Sequence, residues 1–349
     1  MMETMTTPVQ LDDLDRGLMQ ALMIDGRAAF SRIAEVLEVS DQTVVRRYRR
    51  LRTSGLVRVI GLPLGNRVGL FESWLRVQCA PDAALTVAEA LARRPDIAWV
   101  KLGSGGTEIN CLTKARTRQD RDGLLLDKLP RTRRVTGVSA HTILRVYIGG
   151  PSGWCGLDVL RPEQIAALGR APARPPVVHG QEQERYALDE AEHALLAVLA
   201  HDGRAGYPEL ARASGLSEST ARRRLDRLRE LRALYFDLEL VPAALGFDAE
   251  ATLLLTAAPA RLAEAGAALA GHPEVPFAAA VTGTANLMAA VVCRDTDELY
   301  TYMTERIGAV PGIQHVEVIP TLRNIKRAGM LVEGGRLVDP PPAPRASEP

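Results

Sequence analysis

Residues 11–52, LDDLDRGLMQALMIDGRAAFSRIAEVLEVSDQTVVRRYRRLR, recur as residues 188–229, LDEAEHALLAVLAHDGRAGYPELARASGLSESTARRRLDRLR. At this offset of 177, sixteen of the 42 positions are identical, among them Asp25-Gly26-Arg27-Ala28 over Asp202-Gly203-Arg204-Ala205, Ser40 over Ser217 and Thr43 over Thr220. An offset of 178 carries the match onward: Pro95-Asp96-Ile97 meets Pro273-Glu274-Val275, Trp99 meets Phe277, and Leu144-Arg145 meets Leu322-Arg323. Self-similarity over this distance means that one two-part unit is written twice.

The repeated stretch reads as three helices. Leu14, Leu18, Ala21 and Leu22 form a helical stripe that the Asp25-Gly26-Arg27 turn ends. Residues 30–37 give a second short helix and Glu38-Val39 a tight corner. Ser40 is placed to cap a third helix from Asp41 to about Ser54, because its hydroxyl can accept the free amides of the next turn. Gly55 stops that helix and Leu56-Val57-Arg58-Val59 reads as a strand. The second copy repeats the pattern near residues 189–200, 208–214 and 218–232, with Ser217 as the cap. A short corner before the last of three helices is the helix-turn-helix pattern.

At about 100° per residue, Val44, Tyr48 and Leu51 point inward and Gln42, Arg46, Arg49 and Arg50 outward. In the second copy Ser219, Arg223, Asp226 and Arg227 face out. With Asp41, Thr43, Glu218 and Thr220 at the helix starts, these side chains (Asp226 aside) make the expected contact set for double-stranded DNA. Arginines there can hold phosphates or reach guanine edges. The first surface is the more basic, since Asp226 stands where the first copy has Arg49.

The second part of each copy reads βαββαβ, the split-βαβ ferredoxin-like order. In the first copy the elements are residues 74–79, 82–94, 97–102, 109–113, 118–129 and 135–147. In the second they are 252–256, 259–270, 277–281, 287–293, 295–307 and 313–322. Such a sheet leaves one apolar face bare and pairs with another, either the other copy or a second chain. The expected fold class is α+β: a winged helix-turn-helix plus a ferredoxin-like domain, the pair repeated twice. The expected segments are 11–60 and 186–240 (helix-turn-helix), 70–150 and 248–333 (αβ), a linker at 151–185 with one short helix near 162–168, and a disordered tail at 334–349.

The 349 residues carry 43 Lys and Arg against 42 Asp and Glu, so the chain as a whole is no polycation and any basic surface must be local. Within residues 41–52, five arginines face one aspartate, and this concentrates positive charge on one element. Cys79, Cys111, Cys155 and Cys293 lie far apart without a Cys/His cluster, which argues against zinc or a disulfide scaffold and for reduced cytosolic thiols. Residues 1–15 lack the apolar core of a secretory signal. The uncharged run 275–293 is broken by Pro276, Gly283 and Asn286 and fits two buried strands better than a membrane span.

The residues Leu11-Asp12, Asp25-Gly26-Arg27, Ile33-Ala34, Val39-Ser40, Thr43-Val44 and Arg47 with Leu51 resemble the helix-turn-helix signature of the Lrp/AsnC family of transcription regulators, and the second copy resembles it again. The resemblance implies a cytoplasmic, sequence-specific DNA-binding regulator that needs no cofactor and forms homo-oligomers. It also implies an amino-acid-like effector bound between paired αβ domains, at the turn between the second and third strands. There the family's motif becomes Gly105-Gly106-Thr107-Glu108 in one copy and Gly283-Thr284-Ala285-Asn286 in the other. Gly105, Thr107, Glu108, Gly283, Thr284 and Asn286 are therefore the expected ligand residues.

Two other readings compete. One is an architectural DNA-binding protein without an effector. The other is an enzyme, because siroheme decarboxylases resemble the same two-part architecture. Their chemistry uses histidines and a Tyr/Arg set, whereas residues 97–113 and 275–293 contain no His, Tyr or Arg. No nucleophile and base stand at local spacing, so the enzyme reading is disfavoured.

Overall fold

The computed structural model describes residues 10–149, 156–169 and 185–339. The first copy opens with α1 (Asp13–Ile24), α2 (Phe30–Val36) and α3 (Asp41–Thr53). Asp12 caps α1 in a reciprocal box: its carboxylate accepts from Asp15 N–H at 2.9 Å, and that of Asp15 accepts from Asp12 N–H at 3.3 Å. Ser40 Oγ accepts from Thr43 N–H at 3.2 Å and starts α3. Val44, Tyr48 and Leu51 are its buried positions. Next come β1 (Val57–Pro63), one turn of α4 (Gly65–Val68), β2 (Phe71–Cys79) and α5 (Ala84–Ala92). They are followed by β3 (Ile97–Gly103), β4 (Glu108–Ala115), α6 (Arg118–Asp122, continued by a wider turn to Lys128) and β5 (Val135–Ile148).

After α7 (Pro162–Ala167) the second copy repeats this order. It runs α8 (Glu190–His201), α9 (Tyr207–Ser214), α10 (Glu218–Glu230), β6 (Leu234–Leu240), β7 (Ala249–Ala257) and α11 (Leu262–Ala270). It closes with β8 (Phe277–Val281), β9 (Leu287–Cys293), α12 (Thr296–Thr301, continued to Ile307) and β10 (Ile313–Arg327). A hairpin of β11 (Met330–Glu333) and β12 (Arg336–Val338) ends the described chain.

The two αβ units pair within the chain. The order β10-β3-β4-β2-β5-β8-β9-β7 closes on itself, because β10 also pairs with β7. The two long strands do the closing. β5 pairs with β2 up to Thr142 and with β8 from Ile143, while β10 pairs with β7 up to Pro320 and with β3 from Thr321. Each unit thus donates the end of its last strand to the other. The helices cover the outer faces over Leu75, Ile97 and Ile109 in one unit and Leu253, Leu255 and Val291 in the other. The inner faces meet around Trp74, Leu254, Met288 and Ile319.

The helix-turn-helix units also pair. β1 and β6 form a two-stranded antiparallel ribbon in which Ile60 faces Asp237, the two equivalent positions at an offset of 177. A pseudo-twofold axis therefore passes there. About it, Arg27 donates to the carbonyls of Gly203 (2.8 Å) and Ala205 (3.1 Å), and Arg204 donates to those of Gly26 (2.7 Å) and Ala28 (2.9 Å). Asp25 and Asp202 shape the turns by accepting from Arg27 and Arg204 N–H, both at 2.9 Å. Glycine is needed at Gly203 because a Cβ would sit 2.7 Å from the Ile60 carbonyl carbon. The repeated Asp-Gly-Arg is thus the clasp between the copies.

Three expectations are corrected. The strands after the recognition helix and at the chain's end are longer than read, since pairing with the other copy extends them to Pro63 and Arg327. Residues 334–338, expected in the tail, complete the β11–β12 hairpin, with Leu337 N–H donating to Gly55 O at 2.7 Å; residues 340–349 lie outside the described residues. The linker is in part core: Leu157, Leu160 and Leu168 are buried against the first helix-turn-helix unit. Gln20 Oε1 accepts from Val159 and Leu160 N–H, both at 2.8 Å.

Candidate nucleic-acid interface and sensor face

The outward side of α3 carries Asp41, Gln42, Arg46, Arg49 and Arg50, all exposed, with Thr43 half-buried. The five arginines of α3 do different things. Arg47 Nη1 donates to Asp12 (2.6 Å) and to the fully buried Asp15 (3.0 Å), and Arg50 pairs with the same Asp15. Arg52 reaches Asp202 of the other copy at 2.7 Å. Arg46 and Arg49 have no ion-pair or ring partner among the described residues. Arg50, expected among the contact residues, is thus already engaged with α1. Two free guanidiniums remain, on one face and one turn apart. Arg47 bonding to Asp12 holds that carboxyl below its ordinary range.

On α10 the outward set is Glu218, Ser219, Arg223, Asp226 and Arg227, with Thr220 half-buried. Arg224 repeats the role of Arg47, pairing with Asp189 (2.7 Å) and Glu192 (3.0 Å). Backbone bonding from Glu192, with Arg224 behind it, lowers Asp189 as well. Arg227 lies over the Tyr186 ring, 5.8 Å from its centroid, and Arg222 over Tyr207 at 5.5 Å. Arg223 alone matches the free arginines of α3. Over their lengths, α3 sets five arginines against one acid and α10 five against three.

The turns expected to hold an effector lie where the copies interlock. Gly105 is exposed at φ +67° with nothing within 4 Å of a Cβ, and Gly106 lies near Leu322 of β10. Thr107 Oγ1 donates to Ser104 O at 3.0 Å. Glu108 is buried and takes two bonds from Arg76, at 2.9 and 2.8 Å, and Arg76 also pairs with Glu317. In the second turn Gly283 (φ +121°) packs on His141, whose Nδ1 lies 2.6 Å from Thr282 O, and Thr284 is exposed. Asn286 closes the strand end, accepting from Ala257 N–H at 2.9 Å and donating to Ala257 O at 2.8 Å. Glu108 and Asn286 are therefore occupied by internal partners, which leaves Gly105, Thr107, Gly283 and Thr284 presented at the surface.

Sequence reading missed a cavity of about 260 Å³ beneath the ribbon, at the end of the inter-sheet space. Its roof is the side of β6 that shows Tyr235, Asp237 and Glu239, and its floor includes Trp74, Trp99 and Met288. The signal was the alternation in Leu234–Leu240: Phe236, Leu238 and Leu240 enter the helix-turn-helix cores while the polar residues between them turn the other way. Arg327 and Lys101 overcome the opposing effect of burial and bring Glu250 down to about 2. Burial, with Glu239 alongside, raises Asp237 to about 7. Among the described residues no group of His, Cys, Asp and Glu is placed to hold a metal, and no helix is long and apolar enough to cross a membrane.

Comparison with known proteins matches the helix-turn-helix in both copies and the ligand-binding domain in the second. A family model described as the AsnC-type helix-turn-helix domain matches residues 11–52 and 188–229, and one described as the Lrp/AsnC ligand binding domain matches residues 250–331. An uncharacterized HTH-type transcriptional regulator of Pyrococcus abyssi is 34% identical over 143 residues, covering 41% of this chain and 90% of the relative. The regulatory protein AsnC of Escherichia coli is 27% identical over 143 residues, 40% of this chain and 94% of that protein. Single-unit relatives thus match less than half of a doubled chain. The crystal structure of the siroheme decarboxylase NirDL superposes with a TM-score of 0.57 at 13% identity, over 91% of this chain and 93% of that one, a likeness of fold.

Proposed function

Because this chain belongs to the Lrp/AsnC family of helix-turn-helix transcription regulators, we propose that it reads one DNA duplex with two unequal recognition helices held in a single polypeptide. The observation that carries the reading is the Arg27–Arg204 clasp about the β1–β6 axis, which fixes α3 and α10 as a pseudo-symmetric pair. Two helices so related meet successive turns of the major groove and favour a nearly palindromic operator. Arg46 and Arg49 with Gln42 on α3, and Arg223 with Ser219 on α10, are the assigned contacts. Asp41, Thr43, Glu218 and Thr220 lie at the helix N-termini, where backbone amides approach phosphates. The two half-sites differ in strength, the α3 half being the tighter.

The reading is of a cytoplasmic regulator rather than of an enzyme. The names of the relatives support it, and two of the histidines are taken up in packing, His141 against Trp74 and Thr282 O and His272 against Tyr302. We further propose an amino-acid-like effector at the turns carrying Gly105, Thr107, Gly283 and Thr284, and self-association of the doubled chain. The match of residues 250–331 to a ligand-binding domain supports the effector. Footprinting on the protein's own upstream region tests the DNA reading: a protected pair of half-sites whose affinity falls steeply with salt is expected. No salt-sensitive affinity for any genomic duplex would falsify it. A thermal-shift screen of amino acids tests the effector, since a ligand specific for the folded state raises the melting temperature.

A further inference from the structure

The cavity under the ribbon has a charge pattern that selects one kind of guest. Trp74, Trp99 and Phe277 give it aromatic walls and Tyr235 part of its roof. Each cation that faces it already has a carboxylate: Lys114 pairs with Glu72 at 3.3 Å, Lys101 with Glu250 at 3.2 Å, and Arg327 with Glu250 at 3.0 Å and Glu239 at 2.7 Å. Arg58, across the ribbon from Glu239, turns away to Asp339 at 3.2 Å. Asp237 is left over. Among the described residues its carboxylate receives one bond, from Leu238 N–H at 2.9 Å, and no cation. A second acceptor lines the same space: Asn110 is 4% exposed and its Oδ1 has no donor. A buried acceptor without a donor, as at Asn110, is costly unless a guest supplies one.

We propose that this cavity binds a hydrophobic organic cation, an amine on an aryl or alkyl body, whose ammonium donates to Asp237 and Asn110 while the body rests among the aromatic rings. Among the described residues, anions find no unpaired cation there. Binding itself stands apart from the DNA reading; only its consequence, a shift of the ribbon that carries both recognition helices, rests on it. The pH dependence follows from Asp237. Tyr235 and Glu239 lie beside it and Ile60 opposite, while Glu72, Lys114, Lys101, Glu250 and Arg327 face it from the sandwich. With its carboxyl titrating at about 7, a cation is held better as the pH rises from 6 to 8.

The test uses the full chain and three shape-matched probes: phenethylamine, 2-phenylethanol and 3-phenylpropionate. Trp74 and Trp99 fluorescence reports occupancy, and band shifts on genomic DNA run alongside. Expected is saturable binding of the amine at millimolar concentration or below, roughly tenfold or more tighter than the alcohol, with the anion weakest. Asp237→Asn should remove that preference and the gain with pH, and Asn110→Leu should weaken the amine while the protein still melts cooperatively. Equal affinity for amine and alcohol, tighter binding of the anion, no binding of the amine, or an unchanged preference in folded Asp237→Asn would overturn the proposal. DNA binding that persists while amine binding fails separates this failure from failure of the regulator reading.

Discussion

The two helix-turn-helix units share sixteen of 42 residues, the same caps and the same clasp, yet their surroundings differ. The first is enclosed. Leu157, Leu160 and Leu168 from the segment before and after α7 complete its core, and β12 lies across the end of α3, where Gly55 at φ +70° leaves room 2.7 Å from Leu337 O. The second has no counterpart of α7 or β12 among the described residues; Val68 and Tyr186 pack on its core, Arg67 donates to Leu231 O at 2.8 Å at the end of α10, and the corner equivalent to Gly55 is Arg232 at φ +53°. The enclosed copy is also the one with two free arginines on its reading helix. The comparison teaches that duplication freed the copies to diverge in role: one is anchored to its surroundings and basic, the other is held by the ribbon and clasp and more nearly neutral.

Removing the extra cover should have the largest effect. Leu168→Ala should cost about 3–4 kcal/mol, since a fully buried leucine leaves a cavity. Hydrogen exchange should quicken in α1 and α2 before α8 and α9; equal quickening in both would show that the copies melt as one unit. The clasp comes next. Arg204→Ala should cost about 3 kcal/mol and Arg27→Ala about 2, because each loses two charge-assisted bonds. Arg204 also lies 4.0 Å from the Phe30 ring centroid, where Arg27 is 5.5 Å from Phe236. The reverse order in urea melts would mean that the ring contact does not matter.

DNA affinity sharpens the comparison further. At one fixed salt concentration, Arg46→Ala with Arg49→Ala should weaken operator binding by roughly tenfold or more, and Arg223→Ala with Arg227→Ala by only a few fold. Comparable losses would make the two surfaces equivalent and sink the asymmetry. The smallest effect is at the bare corner. Arg232→Gly should stabilise by about 0.5 kcal/mol, the left-handed strain relieved less the added chain entropy. Gly55→Arg at the enclosed corner should instead destabilise, as thermal melts of the two variants would show.

Much of this was legible in the chain. Ser40 and Ser217 announce helix starts because capping is local, and the inward stripe of α3 follows from helical period alone. The paired roles of Arg47 and Arg50 were not legible, because both bond to Asp15 on another helix. Glu108 and Asn286 looked like turn residues free to bind an effector. Their partners Arg76 and Ala257 come from neighbouring strands, and strand register is invisible to spacing. The cavity beneath the ribbon was hidden for the same reason, since no one stretch of sequence lines it.

The sequence by itself determined the two-part unit, its duplication and the helix-turn-helix of each copy, since periodicity, caps and turns act over a few residues. Tertiary structure decided which copy met which: that β5 and β10 cross between sheets, that Asp-Gly-Arg clasps its own repeat, and that, among the described residues, Arg46 and Arg49 alone are left free on α3. Those outcomes depend on which distant donors and acceptors satisfy each other once buried, and that matching exists only in the folded chain.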